Sequence, residues 1–215
     1  MRIPERGASV TVRRVSPRVK RRFHNIIRRS GIRPERALEV GGLMGDDSLL
    51  RFPELAGAER YCLNLVELPS DGEVTAVKGN ANDMREFKRD WFDLVVCCST
   101  LEHDKRFWLS CAEMRRVLRP GGLLVVGVPG YIKDDERDQG RSTLTYRVHY
   151  KFDYYRFSEQ AVREVIFEGM DRVRVRPMMT PPRLIGHGWK PLRRGYRTRA
   201  VRGARALRRR IGAQG

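Results

Sequence analysis

Residues 92–103 read Phe92-Asp93-Leu94-Val95-Val96-Cys97-Cys98-Ser99-Thr100-Leu101-Glu102-His103, and fifteen residues further on the chain reads Leu118-Arg119-Pro120-Gly121-Gly122-Leu123-Leu124-Val125-Val126. The apolar runs at 92–97 and 123–128 lack the alternation of a half-exposed strand, and such runs suit strands covered on both faces. Between them Phe107, Leu109, Met114, Val117 and Leu118 recur at helical spacing, with Pro120-Gly121-Gly122 as a stop. Strand, helix, strand in this order implies a crossover and a parallel pair. Working outward, shorter apolar segments predict strands over 37–40, 60–65 and 74–77. A helix is expected over 158–168, with Ser158 as N-cap, Val162, Val165 and Ile166 inward, and Gly169 as its end. A strand follows over 172–176, with Val173 and Val175 on one face. After Pro177 the pattern dissolves, and residues 190–215 fit a short helix or a disordered tail. The fold class is a doubly wound, mainly parallel α/β sheet.

The chain has 215 residues and a formal net charge of +18, with 40% hydrophobic residues. That is one domain of ordinary size with enough apolar material for a core. The charge is not spread evenly. Residues 1–36 hold 12 Lys/Arg against 2 acids, residues 186–215 hold 10 and no acid, and the middle is close to neutral. The expected organisation is a basic N-terminal extension over 1–36, a domain over 37–185 and a basic tail over 186–215. Such ends attract phosphate, whether of nucleic acid or of an anionic membrane surface. In the extension, Ser16-Pro17 reads as a helix start and Gly31 as its end. Val19, Phe23, Ile26 and Ile27 share one face, and Lys20, Arg21, Arg22, Arg28 and Arg29 the other. The helix either packs on the domain or lies on a membrane surface.

No apolar run approaches the ~20 residues of a membrane span, and the first twenty residues lack the apolar core of a secretory signal. Cys62, Cys97, Cys98 and Cys111 form no C-x-x-C pair and no metal-ligand spacing, so they read as buried thiols of a reducing compartment. The expectation is a cytoplasmic protein, with peripheral membrane contact through its basic ends as an option.

In an open parallel sheet the ligand sits beyond the carboxyl ends of the strands, near the point where strand order reverses. The first strand runs into Glu39-Val40-Gly41-Gly42-Leu43-Met44-Gly45, a glycine-rich turn. It lacks the first glycine of the G-x-G-x-x-G dinucleotide fingerprint, and no Gly-Lys-Ser/Thr follows for a phosphate loop. Asn64 ends the second strand, and Gly79-Asn80-Ala81-Asn82-Asp83 follows the third.

In this order the motifs over about 37–130 resemble the class I S-adenosylmethionine-dependent methyltransferases, in particular the type 11 methyltransferase domain. The resemblance implies a Rossmann-like fold and S-adenosyl-L-methionine as cofactor. It places Glu39, Gly41 and Gly45 around the amino acid part of that cofactor, Asn64 at the ribose and Asp83 beside the adenine. Cys98, Ser99 and His103 fall on the segment that closes over the sulfonium and faces the acceptor. Leu43, Asn64 and Asn80 depart from the family's usual glycine, acid and aspartate. Each candidate has a structural alternative: Glu39 caps backbone amides, Asp83 starts a short helix at Met84, and His103 serves as a hydrogen-bonding strut. Cys97 and Cys98 read as strand packing rather than nucleophiles.

The stretch His149-Tyr150-Lys151-Phe152-Asp153-Tyr154-Tyr155-Arg156-Phe157-Ser158 resembles a segment found after strand five in a subset of these methyltransferases, some of them linked to polysaccharide or other glycan synthesis. Asp153, Tyr154 and Arg156 are therefore candidate substrate residues, and aromatic faces with polar rims suit sugar rings. His103 and His149 are the candidate bases for a hydroxyl acceptor. The expected function is methyl transfer from S-adenosylmethionine to a small-molecule or glycan-type acceptor, at oxygen. A nucleic acid methyltransferase and a non-catalytic Rossmann-like binding protein are the alternatives. Against the first, Cys98-Ser99-Thr100-Leu101 stands where amino-base enzymes carry Asn/Asp-Pro-Pro-aromatic.

Overall fold

The computed structural model describes residues 15–130, 152–178 and 182–192. Helix α1 (Pro17–Ser30) is followed by β1 (Arg36–Val40), β2 (Glu59–Asn64), β3 (Val74–Lys78), β4 (Phe92–Cys98), α2 (Phe107–Val117) and β5 (Leu118–Pro129). After the undescribed stretch come the short α3 (Glu159–Ala161), a π-turn at Val162–Ile166, β6 (Asp171–Met178) and β7 (Arg183–Trp189). The sheet order is β3-β2-β1-β4-β5-β7-β6. Strands β1 to β5 pair in parallel, and β7 lies antiparallel to both neighbours. Strand order reverses between β1 and β4, so their carboxyl ends form the crevice expected to receive a ligand.

Both faces of β4 and β5 are covered, which is why their sequences are apolar runs. On one face Val95, Cys97, Leu124 and Val126 pack with Met114 and Val117 of α2 and with Ile166 and Phe167. On the other, Leu94, Val96, Leu123 and Val125 meet Val19, Phe23 and Ile27 of α1, together with Leu49, Leu50 and Leu55. Helix α1 has the expected ends, with Pro17 in its first turn and Gly31 at φ 71°. Each of its three buried apolar side chains contributes about 1.5–3 kcal/mol. The apolar face is thus spent on the sheet, while Arg21, Arg22, Arg28 and Arg29 stay exposed. No helix of the described residues is long and apolar enough to cross a membrane.

Several expectations change. The boundary at 36/37 does not separate packing units, because α1 shares the core of the strands. The boundary at 185/186 cuts through β7, which pairs with β5 from Leu123↔Trp189 to Pro129↔Arg183. This strand went unread because Gly186 and Gly188 break its apolar pattern. Phe167 fills the space instead: a Cβ on Gly186 would lie 2.6 Å from its ring. Helix α2 passes directly into β5, so Pro120-Gly121-Gly122 lies within that strand rather than at the helix end. Ser158 does cap α3, its hydroxyl accepting from Ala161 N at 3.1 Å, but the π-turn leaves Val165 exposed.

Candidate active site

The turn after β1 is shaped by two close approaches. Gly41 has φ 70°, and a Cβ there would lie 2.3 Å from the Thr100 side chain, so only glycine fits. A Cβ on Gly42 would come within 2.4 Å of the Glu39 carboxyl. Glu39, 2% exposed, folds beneath this turn. Its Oε2 accepts from Ser48 Oγ at 2.7 Å and from Leu49 N at 2.9 Å. Burial pushes the Glu39 carboxyl up to about 7, against the lowering effect of these bonds and of the Lys20 charge. Lys20 of α1 also donates to the Asp46 carbonyl, so the N-terminal helix pins the far side of the same turn. Gly45, at φ 70°, borders open space.

Asn64 stands at the end of β2, where sequence placed it, but its amide is engaged. Nδ2 donates to the Gly42 carbonyl at 2.8 Å, and Oδ1 accepts from Val66 N at 3.2 Å. An aspartate could not make the first bond. Asp83 lies in a turn with Asn80, not at a helix start, and no helix begins at Met84. It pairs with Arg85, whose hydrogen bond holds its carboxyl below the usual range. Beside it Asn82 donates to Asp104 Oδ2 at 2.6 Å and to Ser110 Oγ at 2.8 Å, which ties the loop to α2. Leu65 and Val66, 68% and 59% exposed, project beyond β2. The apolar segment over 60–65 predicts Leu65 inside the strand, but β2 ends at Asn64.

At the end of β4, Ser99 has φ 57°, a left-handed conformation costing a non-glycine residue roughly 1–2 kcal/mol. Its N–H donates to the Gly127 carbonyl at 2.9 Å. Strain at a strand end in a ligand crevice is a recurrent feature of functional sites. Cys98 is buried, and burial pushes its thiol up to about 11; burial raises the Cys97 thiol well above its usual value too. Neither is a nucleophile, because the thiolate is the reactive form. Cys98 packs in the core with Phe23 of α1 rather than projecting from the strand end.

His103 Nδ1 lies 2.8 Å from the Phe152 carbonyl, which fixes the hydrogen on Nδ1 and joins the segment after β4 to the 152–156 stretch. Tyr154 N donates to the Glu102 carbonyl at 2.8 Å, reinforcing that junction. Asp153 and Arg156 form a two-pronged ion pair at 2.5 and 2.7 Å. Their charges anchor this segment to itself. Tyr154 is exposed, with Lys105 over its ring at 5.4 Å. Phe157 is buried against Phe107, as packing requires. His149 lies outside the described residues.

Two residues that sequence reading passed over belong to this end of the sheet. Glu102 is 3% exposed, and Arg183 begins β7 opposite Pro129. Glu102 was flanked in the quoted motif by more conspicuous neighbours, and Arg183 lay where no pattern was visible.

The residues present fit S-adenosylmethionine. The backbone of the 41–45 turn is open at Gly45, apolar Leu65 and Val66 offer surface to a flat base, and the strained Ser99 closes the crevice between them and β5.

Comparisons with known proteins bear on the domain and the fold. Residues 57–126 match the family described as the methyltransferase domain. No curated protein matches by sequence. Among solved structures, phosphoethanolamine N-methyltransferase 2 of Haemonchus contortus, with phosphomonomethylethanolamine and S-adenosylhomocysteine, superposes with a TM-score of 0.61 at 16% identity, over 80% of this chain and 52% of that one. The 1,6-didemethyltoxoflavin-N1-methyltransferase of Burkholderia thailandensis, with its acceptor and S-adenosylhomocysteine, gives 0.58 at 18%, over 80% and 78%. The [4+2]-cyclase SpnF gives 0.60 at 14%, over 81% and 82%. The chain thus spans about half the length of the Haemonchus enzyme. Residues 57–126 thus carry a match to the methyltransferase domain, and the sheet around them has the fold of these solved structures.

Proposed function

We propose that the chain transfers a methyl group from S-adenosylmethionine to the oxygen of a small-molecule or glycan-type acceptor. The observation that carries this reading is the convergence of three elements at the β1/β4 switch point. These are the glycine turn over Glu39, the apolar pair beyond β2 and the strained Ser99. When bound, the cofactor supplies a methyl group already activated by its positive sulfur, so the protein's part is alignment and exclusion of water. The 41–45 backbone and Ser99 would hold the amino acid part, the edge of β2 near Asn64 the ribose, and Leu65, Val66 and the 80–83 loop the base. The acceptor would enter over the 152–156 stretch, where Tyr154 offers an exposed ring. His103, a candidate base by sequence, would hold this stretch in place through its Nδ1 hydrogen bond to the Phe152 carbonyl.

Small acceptors in the Haemonchus and Burkholderia structures support the small-molecule part of the reading. The cyclase on the same fold favours a second reading, in which the cofactor site is kept and no methyl group moves. Incubation with methyl-labelled S-adenosylmethionine and a panel of hydroxyl-bearing sugars and metabolites separates them. Label in a methyl ether supports the proposal. Label on nitrogen or carbon shifts the acceptor atom, and tight cofactor binding with no transferred label favours the second reading.

A further inference from the structure

Four side-chain atoms among the described residues are buried without a hydrogen-bonding partner: Arg51 Nε, Arg60 Nε, Glu102 Oε2 and Arg183 Nη1. The first two belong to guanidinium groups already paired with acids, Arg51 with Asp71 and Glu73, Arg60 with Glu73. The other two differ. Glu102 is held in place from behind, because its carbonyl accepts from both Tyr154 N and Tyr155 N. Arg183 is fixed in β7 between Pro129 and Met178. Both therefore sit at the carboxyl end of the sheet, on the acceptor side of the crevice. The Arg183 charge reaches both the Glu102 carboxyl and the Cys98 thiol, so the three share one neighbourhood. Yet no ion pair joins Glu102 to Arg183. Leaving a buried acceptor and a buried donor unmatched is costly, and a pair of opposite charge kept apart by fixed backbone is what a ligand with two matching groups completes.

We propose that Glu102 and Arg183 are the two polar anchors of the acceptor, with Arg183 binding a carboxylate or phosphate group that the acceptor carries and Glu102 receiving the proton of its reacting hydroxyl. The inference rests on the proposed methyl transfer and narrows its substrate class to oxyanion-bearing hydroxyl compounds. A guanidinium presents parallel N–H donors that suit a carboxylate or a phosphate. As the hydroxyl oxygen's lone pair forms the new C–O bond, the electron pair of the broken C–S bond leaves with sulfur, and the hydroxyl proton passes to Glu102 Oε2. Burial raises the Glu102 carboxyl, which makes its carboxylate a stronger base for that proton. The charged and titratable groups around it are Arg183, His103, Asp153, Cys97 and Cys98. His103 then acts as the strut that joins the turn to Phe152.

The test is calorimetric titration of the full chain, loaded with S-adenosylhomocysteine, with inorganic phosphate and separately with acetate. At least one anion should bind, the stronger showing which oxyanion the site prefers, and Arg183→Met should weaken it tenfold or more. Binding should draw a proton onto Glu102, read as uptake from buffers of different ionisation enthalpy. That uptake should vanish in Glu102→Gln, while its melting temperature does not fall. Anion binding unaffected by Arg183→Met overturns the proposal. So does a loss of S-adenosylhomocysteine affinity in Arg183→Met, which would give the guanidinium to the cofactor's own carboxylate. A drop in melting temperature for Glu102→Gln would make Glu102 a structural group and overturn its part. Failure of the wild type to bind S-adenosylhomocysteine refutes instead the methyltransferase reading, and is seen in the first titration.

Discussion

Glu39 carries the largest electrostatic consequence of any single residue on the cofactor side. An acid whose pKa is raised by folding holds its proton more tightly in the folded chain than in the unfolded one. Stability is therefore greatest below the usual carboxylate range and falls as pH rises toward about 7. A shift from 4.5 to about 7 corresponds to about 3 kcal/mol of stability lost by pH 8. Urea titrations at pH 5 and pH 8 should show this loss, with Glu39→Gln removing most of the slope and Glu102 supplying a remainder of the same sign. A slope unchanged in Glu39→Gln would mean that Glu39 is ionised without penalty. Asn64 is the second residue with a definite outcome. Seen from sequence, Asn64→Asp restores the family's acid at the ribose. In the structure it sets a carboxylate against the Gly42 carbonyl and loses a donor, at a cost of about 1–3 kcal/mol. Asn64→Asp should thus lower the melting temperature and weaken S-adenosylhomocysteine binding; tighter binding would show that the side chain turns outward to the ribose. The glycine turn and Glu39 were legible because a strand end followed by glycines has few meanings. The engagement of Asn64 was not, since its partner lies 22 residues away in sequence.

Elements divide the same way. Strands β4 and β5 announced themselves through uninterrupted apolar runs, and α1 through its capped ends and single apolar face. Strand β7 did not, because half of its pattern is supplied by another residue: Phe167 occupies the space above Gly186 and Gly188. Gly186→Ala forces a Cβ to 2.6 Å from the Phe167 ring, and overpacking of this kind typically costs about 1–3 kcal/mol. Adding Phe167→Leu should return part of that loss, in a double-mutant cycle followed by denaturant unfolding. Simple addition of the two costs would mean that the ring and the strand are not in contact. Arg183 could not be recognised as a site residue before β7 was, for its place beside Pro129 exists only through that pairing.

At the scale of the whole molecule, the basic ends are not appendages of equal kind. Helix α1 is part of the core and carries a basic outer face, while residues 186–189 belong to β7, which lies inside the sheet between β5 and β6. Lys190 closes the fold at its far end, its Nζ donating to Asp90 Oδ1, Arg115 O and Leu118 O at 2.6–2.7 Å. A chain ending at residue 192 should keep the stability and cofactor affinity of the full chain, whereas one ending at 189 should lose about 1–3 kcal/mol with the Lys190 bonds. Adhesion to acidic vesicles or RNA at low salt should weaken in both, as expected for surface charge. Equal stability of the two truncated chains would show that Lys190 only decorates the surface.

The claim on which everything else depends is that the β1/β4 crevice holds S-adenosylmethionine. Calorimetric titration of the full chain and of Gly45→Ala with S-adenosylhomocysteine tests it most directly. An added methyl at Gly45 meets no protein atom within 4 Å, so the fold should survive with only the strain of a positive φ. The wild type should bind with one-to-one stoichiometry, and Gly45→Ala should bind at least tenfold more weakly while unfolding cooperatively. No heat of binding in the wild type, or equal affinity in a folded Gly45→Ala, would contradict the assignment of this crevice to the cofactor.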